Sequence, residues 1–122
     1  MDRRALLLVA SGGIAGALSR YAVSLLVPGS FPLGTLAVNV AGAFLLGIVV
    51  YRGVFVGRMT RETRLLASTG FIASFTTYST FAADTVALDP GLAAANVAAN
   101  YALGFLAVLC AREVVRWSRA EA

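Results

Sequence analysis

Four apolar stretches dominate this chain, at about residues 5–27, 33–51, 64–88 and 90–115, and each is nearly free of charge. A hydrocarbon core roughly 30 Å thick is crossed by an α-helix of about 20 apolar residues, so each stretch is long enough. The 13% of residues that are charged fall well short of the roughly 25% usual in soluble domains. With 59% hydrophobic residues and a mean hydropathy of +0.82, the deficit has one reading. The expected fold class is an all-α membrane protein, a single domain over residues 1–122 with four transmembrane helices.

The joints are legible. Pro28, Gly29 and Pro32 stop the first segment and make a short turn, and Asp89-Pro90 supplies an N-cap followed by proline at the first helical position. Short connections make neighbouring helices antiparallel. The amino-terminal "MDRRALLLVASGGIAGA" has the outline of a signal peptide, but its apolar character continues to Val27, so a retained first helix is expected.

The ten basic residues are all arginines, set against six acids, with a pI of about 10.0. Threaded through four crossings, Arg3, Arg4, Arg52, Arg58, Arg61, Arg64, Arg112, Arg116 and Arg119 fall on the side of the amino terminus, and only Arg20 falls opposite. Nine against one is a strong positive-inside bias. Both termini are expected in the cytoplasm, in a multi-pass protein of the cell (plasma or inner) membrane inserted in one orientation. Arginines placed between apolar segments, without interleaved aromatics, do not make a nucleic-acid surface.

Chemistry on substrates has little to draw on. There is no histidine, and the one cysteine, Cys110, sits in an apolar helix as a packing residue. Without paired carboxylates in the apolar segments or a glycine-rich phosphate loop, no enzyme is expected. Gly12/Gly16, Ala37/Ala41 and Ala94/Ala98 carry small residues at a spacing of four, which suits close helix packing in lipid.

The polar residues at membrane depth are therefore the candidates. Arg20 lies seven residues inside the end of the first segment, either snorkelling to the interface or attracting anions into a vestibule. Asn39 is either interhelical glue or an amide donor to a desolvated anion. Asn96 and Asn100 share one helical face, which must meet another helix or a pore. The densest run is "SFTTYSTF", residues 74–81, where Ser74, Thr76, Thr77, Tyr78, Ser79 and Thr80 carry hydroxyls. Such hydroxyls can bond the backbone four residues back. Six in eight positions, with Gly70 upstream, point instead to a broken helix, tolerated in a membrane only where it is buried or lines a cavity. Freed carbonyls there suit a cation. Tyr78 and Phe81 share a face, and their electropositive ring edges suit a small anion.

Three segments in order, "GGIAGALSRY", "GTLAVNVAGAFLLG" and "GFIASFTTYSTF", resemble the small fluoride channels called Fluc or CrcB proteins, and the likeness covers the whole chain. The resemblance implies an antiparallel dimer of four-helix subunits that passes fluoride passively around a central structural sodium ion. It implies an anion pathway formed by Asn39, Tyr78, Phe81, Ser79 and Thr80, with Arg20 in the vestibule. The sodium would be held by the backbone carbonyls of Ala73 and Thr76. This chain departs from the family's common pattern at Ala73-Ser74 (Gly-Gly), Tyr78 (Phe), Asp84 (Glu) and Gly104 (Ser).

An antiparallel homodimer needs one chain to insert both ways, which nine arginines against one oppose. The expected partner is a homologous chain of opposite bias. A passive exit channel needs only the negative-inside potential, worth about 2.3 kcal/mol per charge at 100 mV. Two other functions fit four short helices. A non-conducting partner subunit would support assembly alone. A small multidrug exporter would need a carboxylate in the first segment, and residues 5–27 hold none.

Overall fold

The computed structural model describes residues 2–57 and 59–120, and every regular element in them is helical. Three helices are long and apolar enough to cross a membrane: α1 (Arg3–Leu26), α2 (Leu33–Val56) and α6 (Pro90–Ala120). The third crossing is composite. A short α3 (Arg61–Arg64) runs into a π-helical segment (Leu65–Ile72), then α4 (Ala73–Phe75), an interruption at Thr76–Thr77, and α5 (Tyr78–Ala87).

The helices outrun the apolar segments. Arg52 does not end α2, which continues until Gly57, at φ 67°, takes the left-handed conformation that closes it. Likewise α6 continues past residue 115 to Ala120, because a helix leaving the hydrocarbon region keeps its internal hydrogen bonds. At the start of the third crossing the Thr60 hydroxyl accepts from the Thr63 N–H, so the helix begins at Arg61. The Ala93 N–H bonds the Asp89 carbonyl at 2.8 Å, as the sequence signal at Asp89-Pro90 requires.

Packing divides the bundle into two pairs. α1 lies along the π-helical segment and α4, while α2 lies along α6. The first pair depends on glycine. A Cβ on Gly12 would strike the Leu66 carbonyl and approach the Phe71 nitrogen to 2.9 Å, and one on Gly16 would strike the Phe71 carbonyl. Backbone therefore meets backbone, a contact that gives dispersion energy in lipid where hydrophobic exclusion does not operate.

Large apolar side chains cover the outside, among them Leu7, Leu26, Val86, Phe105 and Trp117, and the buried core is small: Val38, Ile72, Phe75, Phe81, Ala111 and Val115. Lipid or a partner must cover that surface. This is a multi-pass membrane protein.

Arginines collect at one end. Arg61 reaches Asp2 at 3.3 Å, Arg4 reaches Glu62 at 3.5 Å, and the Arg119 guanidinium stands 5.9 Å from the Phe55 ring. These contacts bring the start of α1, the α2–α3 turn and the end of α6 together. Arg58 lies outside the described residues. Arg20, in the second half of α1, is remote from this end.

Candidate functional site

The hydroxyl-rich run does interrupt a helix, two residues after its first residue, Ser74. Ala73, Ser74 and Phe75 stay helical, and the extended backbone falls at Thr76 (φ −77°, ψ 158°) and Thr77 (φ −149°, ψ 118°). Both readings of the hydroxyls hold, at different positions. Thr76 Oγ1 bonds back to the Ile72 carbonyl at 3.0 Å and Thr85 Oγ1 to the Phe81 carbonyl at 2.6 Å. The Thr77 hydroxyl instead caps α5 by accepting the Thr80 N–H at 3.2 Å.

Asn39 holds the interruption from α2. Its Oδ1 accepts the Thr77 N–H at 2.9 Å and its Nδ2 donates to the Thr77 carbonyl at 3.2 Å. The side-chain amide thus replaces the backbone partner that an unbroken helix would provide. The second Nδ2 proton goes to Asn100 Oδ1 at 3.1 Å. Giving its N–H to Asn39, Thr77 does not close the helical turn onto the Ala73 carbonyl. That carbonyl and Thr76's stand at a helix C-terminus, where partial negative charge gathers.

Two cavities meet at Thr77. One, of 280 Å³, is lined by Arg20, Tyr21, Ser24, Thr35, Thr77 and Thr80, with Ala17, Gly34 and Val38. The other, of 390 Å³, includes Asn39, Ser68, Ala73, Thr76, Thr77 and Tyr78 among its walls. The residues singled out in the sequence therefore fall on two sides of one break, Arg20 and Thr80 on one, Asn39, Ala73, Thr76 and Tyr78 on the other. Ser79 and Phe81 line neither; the Ser79 Oγ lies 3.4 Å from the Thr77 hydroxyl. Thr77 donates its own hydroxyl proton to Thr80 Oγ1 at 3.0 Å.

Tyr78 and Phe81 do share a face of α5, with ring centroids 5.7 Å apart and planes tilted by 49°. They differ in surroundings: Tyr78 is 74% exposed and Phe81 only 7%. A third ring, Tyr101 of α6, meets Phe81 edge-on at 82° and 6.3 Å. The sequence reading missed Tyr101, since its spacing from the other two reveals nothing before α6 is placed against α5. Also unforeseen is Thr35, which lines the 280 Å³ cavity and donates to Asp84 Oδ2 at 2.7 Å. Asn96 is fully buried, and Asn100 reaches it, so that face of α6 meets other helices as expected.

This geometry offers donors, ring edges and released carbonyls at membrane depth, groups that can line a path for small ions. Residues 7–112 match the family model described as "CrcB-like protein, Camphor Resistance (CrcB)". The chain is 61% identical over 117 residues to the fluoride-specific ion channel FluC 1 of Natronomonas pharaonis, covering 96% of this chain and 98% of that one. It is 59% identical over 111 residues to FluC 1 of Haloarcula marismortui, covering 91% and 85%. Identity to FluC 2 of Halobacterium salinarum is 43% over 122 residues, covering 99% and 94%. All three relatives bear the names of channels rather than enzymes. The chain thus belongs to the CrcB family.

Proposed function

We propose that this chain is a subunit of a passive, fluoride-selective channel that lets cytoplasmic fluoride leave the cell. The observation that carries the reading is the polar break at Thr76–Thr77 beside the Tyr78–Phe81 ring pair, in a chain so similar to proteins named for fluoride. Fluoride holds its water tightly, so a selective path must substitute donors and ring edges for that water. Arg20 draws the anion into the cavity it lines. There the Thr80 hydroxyl, whose own proton is not used in its bond from Thr77, donates to the ion, with Ser79 beside it. The edges of Tyr78 and Phe81 continue the path. Asn39, with both amide protons engaged inside the chain, serves by holding Thr77 in place along it.

The backbone fits a sodium ion. The carbonyls of Ala73 and Thr76 are released by the break, and Ala73 and Thr76 line a common cavity. Two carbonyls do not complete a cation shell, and an antiparallel second subunit would present the same pair. Bound there, the ion would neutralise the two helix C-termini that face each other. With both termini in the cytoplasm and arginines gathered at that end, the partner is a homologous chain of opposite charge bias.

A second reading, a non-conducting subunit within such a channel, rests on Ala73-Ser74, Tyr78 and Gly104, where the sequence departs from the family's common pattern. The deciding experiment is fluoride efflux from liposomes containing the purified chain, with chloride as control. Fluoride-selective efflux from the chain alone supports the channel and removes the need for a second chain. Efflux only with an oppositely biased homologue supports the paired channel. Silence in both arms overturns conduction by this chain and leaves the non-conducting reading.

A further inference from the structure

Asn96 is a fully buried polar side chain two turns into a membrane-crossing helix, and it lines neither cavity that meets at Thr77. A polar group at that depth is costly unless its partners are complete. Its Oδ1 and its Nδ2 each have a partner, and the bonds form a chain. Asn39 donates to Asn100 Oδ1 at 3.1 Å, Asn100 to Asn96 Oδ1 at 3.1 Å, and Asn96 to Thr85 Oγ1 at 2.9 Å. Thr85 passes its hydroxyl proton to the Phe81 carbonyl at 2.6 Å.

Backbone groups fix the direction of every bond in this chain. An N–H only donates and a C=O only accepts. The Thr77 peptide groups therefore settle the orientation of the Asn39 amide, and the Asn96 carbonyl, accepting from Asn100 at 3.0 Å, settles that of Asn100. Turning the Asn96 amide over would set its NH2 against the NH2 of Asn100. Hence the proton of Thr85 points to Phe81 for the same reason that Asn39 grips Thr77. The two ends of the first turn of α5, the break and the buried ring, are tied to α2 and α6 by one polarised chain.

We propose that Asn96 is a positioning residue: through Thr85 it fixes α5, and with it the Phe81 ring, relative to the break at Thr77. Without it α5 keeps its ties to α2, at Thr77 and from Thr35 to Asp84, but loses its hydrogen bond to α6 and rocks about the ties that remain, so the Phe81 ring edge loses its fixed distance from the Thr80 hydroxyl. Selectivity between anions, not merely folding, then depends on a side chain that touches no ion. This rests on the channel reading for its flux consequence and on the hydrogen bonds alone for its structural one.

The test uses the chain in its conducting assembly, with Asn96→Leu, Thr85→Val, Thr85→Ser and, as a control, Gly47→Ala. That control crowds the α2–α6 interface against Ala111 at 2.7 Å without touching the relay. Two quantities are read: the ratio of fluoride to chloride efflux, and hydrogen exchange over residues 76–81. Asn96→Leu and Thr85→Val should speed that exchange by roughly tenfold or more, because the fixed end of α5 opens without them. They should also lower the fluoride-to-chloride ratio, while Thr85→Ser, which restores the hydroxyl, returns both readings. Gly47→Ala should lower thermal stability and leave the ratio unchanged. Exchange in Asn96→Leu and Thr85→Val no faster than in Gly47→Ala would overturn the inference. So would faster exchange with an unchanged ratio in a conducting channel. Should the unaltered chain pass no fluoride in any assembly, the channel reading fails instead, and the exchange arm still decides the role of Asn96.

Discussion

Thr77 exchanges two hydrogen bonds with one side chain: its N–H to Asn39 Oδ1 at 2.9 Å and its carbonyl from Asn39 Nδ2 at 3.2 Å. An asparagine amide has the same donor and acceptor as a peptide unit, at a similar separation. It can stand in for the helical turn that the break removes. At membrane depth no water would do so.

Asn39→Leu keeps the volume and removes both partners of Thr77. Each buried peptide group left unpaired costs about 1–3 kcal/mol, so a loss of roughly 2 kcal/mol or more is expected. Thermal unfolding in detergent reads it as a fall in Tm of several degrees. Asn39→Asp should do no better, since it can accept from the Thr77 N–H but has no proton for the Thr77 carbonyl or Asn100. A Tm equal to that of the unaltered chain in either variant would mean that Thr77 is held by something else.

Hydroxyl density at residues 74–81 made a break legible, and apolar length made the crossings legible. Its position did not follow from composition. Thr76 and Thr77 are extended, rather than Ala73 and Ser74, because Asn39 sits opposite Thr77 across 38 residues of sequence. Nor was the π-helical stretch readable. Leu65–Ile72 has the composition of any apolar helix, and its backbone is packed directly against Gly12 and Gly16 of α1. The asparagine pair on α6 announced a face that meets protein, yet which partners it meets depends on α5 and α6 lying side by side.

That close approach gives a paired prediction. Gly16→Ala drives a methyl into the Phe71 carbonyl, which is backbone and cannot swing away. Overpacking of this kind costs about 1–3 kcal/mol. Gly53→Ala, in α2, meets nothing within 4 Å; it should stabilise by up to about 1 kcal/mol through helix propensity. Opposite shifts in Tm are expected, and a neutral Gly16→Ala would show that α1 does not sit against the π-helical stretch.

The two rings should not be equivalent. Tyr78 is exposed, so Tyr78→Phe removes only a hydroxyl in open surroundings and should leave fluoride efflux within about twofold. Phe81 is buried between Tyr78 and Tyr101, and Phe81→Ile removes the ring edge together with its contacts. Efflux should fall by about tenfold or more, the equivalent of roughly 1.4 kcal/mol. Unchanged efflux in Phe81→Ile would remove the Phe81 ring from the path.

A sodium ion held by Ala73 and Thr76, as proposed, would stabilise whatever assembly completes its shell. Ligand binding to the folded state alone adds about 2.7 kcal/mol at 100 times Kd. After exhaustive dialysis, Tm in sodium should exceed Tm in a bulky organic cation at the same ionic strength. Identical values would leave the two carbonyls without a bound ion.

Charge sets the last expectation. The contacts of Arg61 with Asp2, Arg4 with Glu62 and Arg119 with Phe55 place the arginine-rich turns and ends on one side of the bundle. Among the described residues three acids on that side, Asp2, Glu62 and Glu113, offset only part of the charge. Translocating this end is opposed, whereas Arg20 alone does little to hold the other end back. In a Cys110→Ala background, an impermeant thiol reagent added to intact cells should label Ser30→Cys and spare Ser118→Cys. Replacing Arg112, Arg116 and Arg119 by glutamine and placing arginines at residues 29 and 31 should yield a mixed population, with both labels partly accessible. If that mixed chain conducts fluoride alone and the unaltered chain does not, the need for an oppositely oriented partner lies in charge and not in the pore residues. Partial labelling of Ser118→Cys in the otherwise unaltered chain would show dual insertion, and the second chain would then be unnecessary.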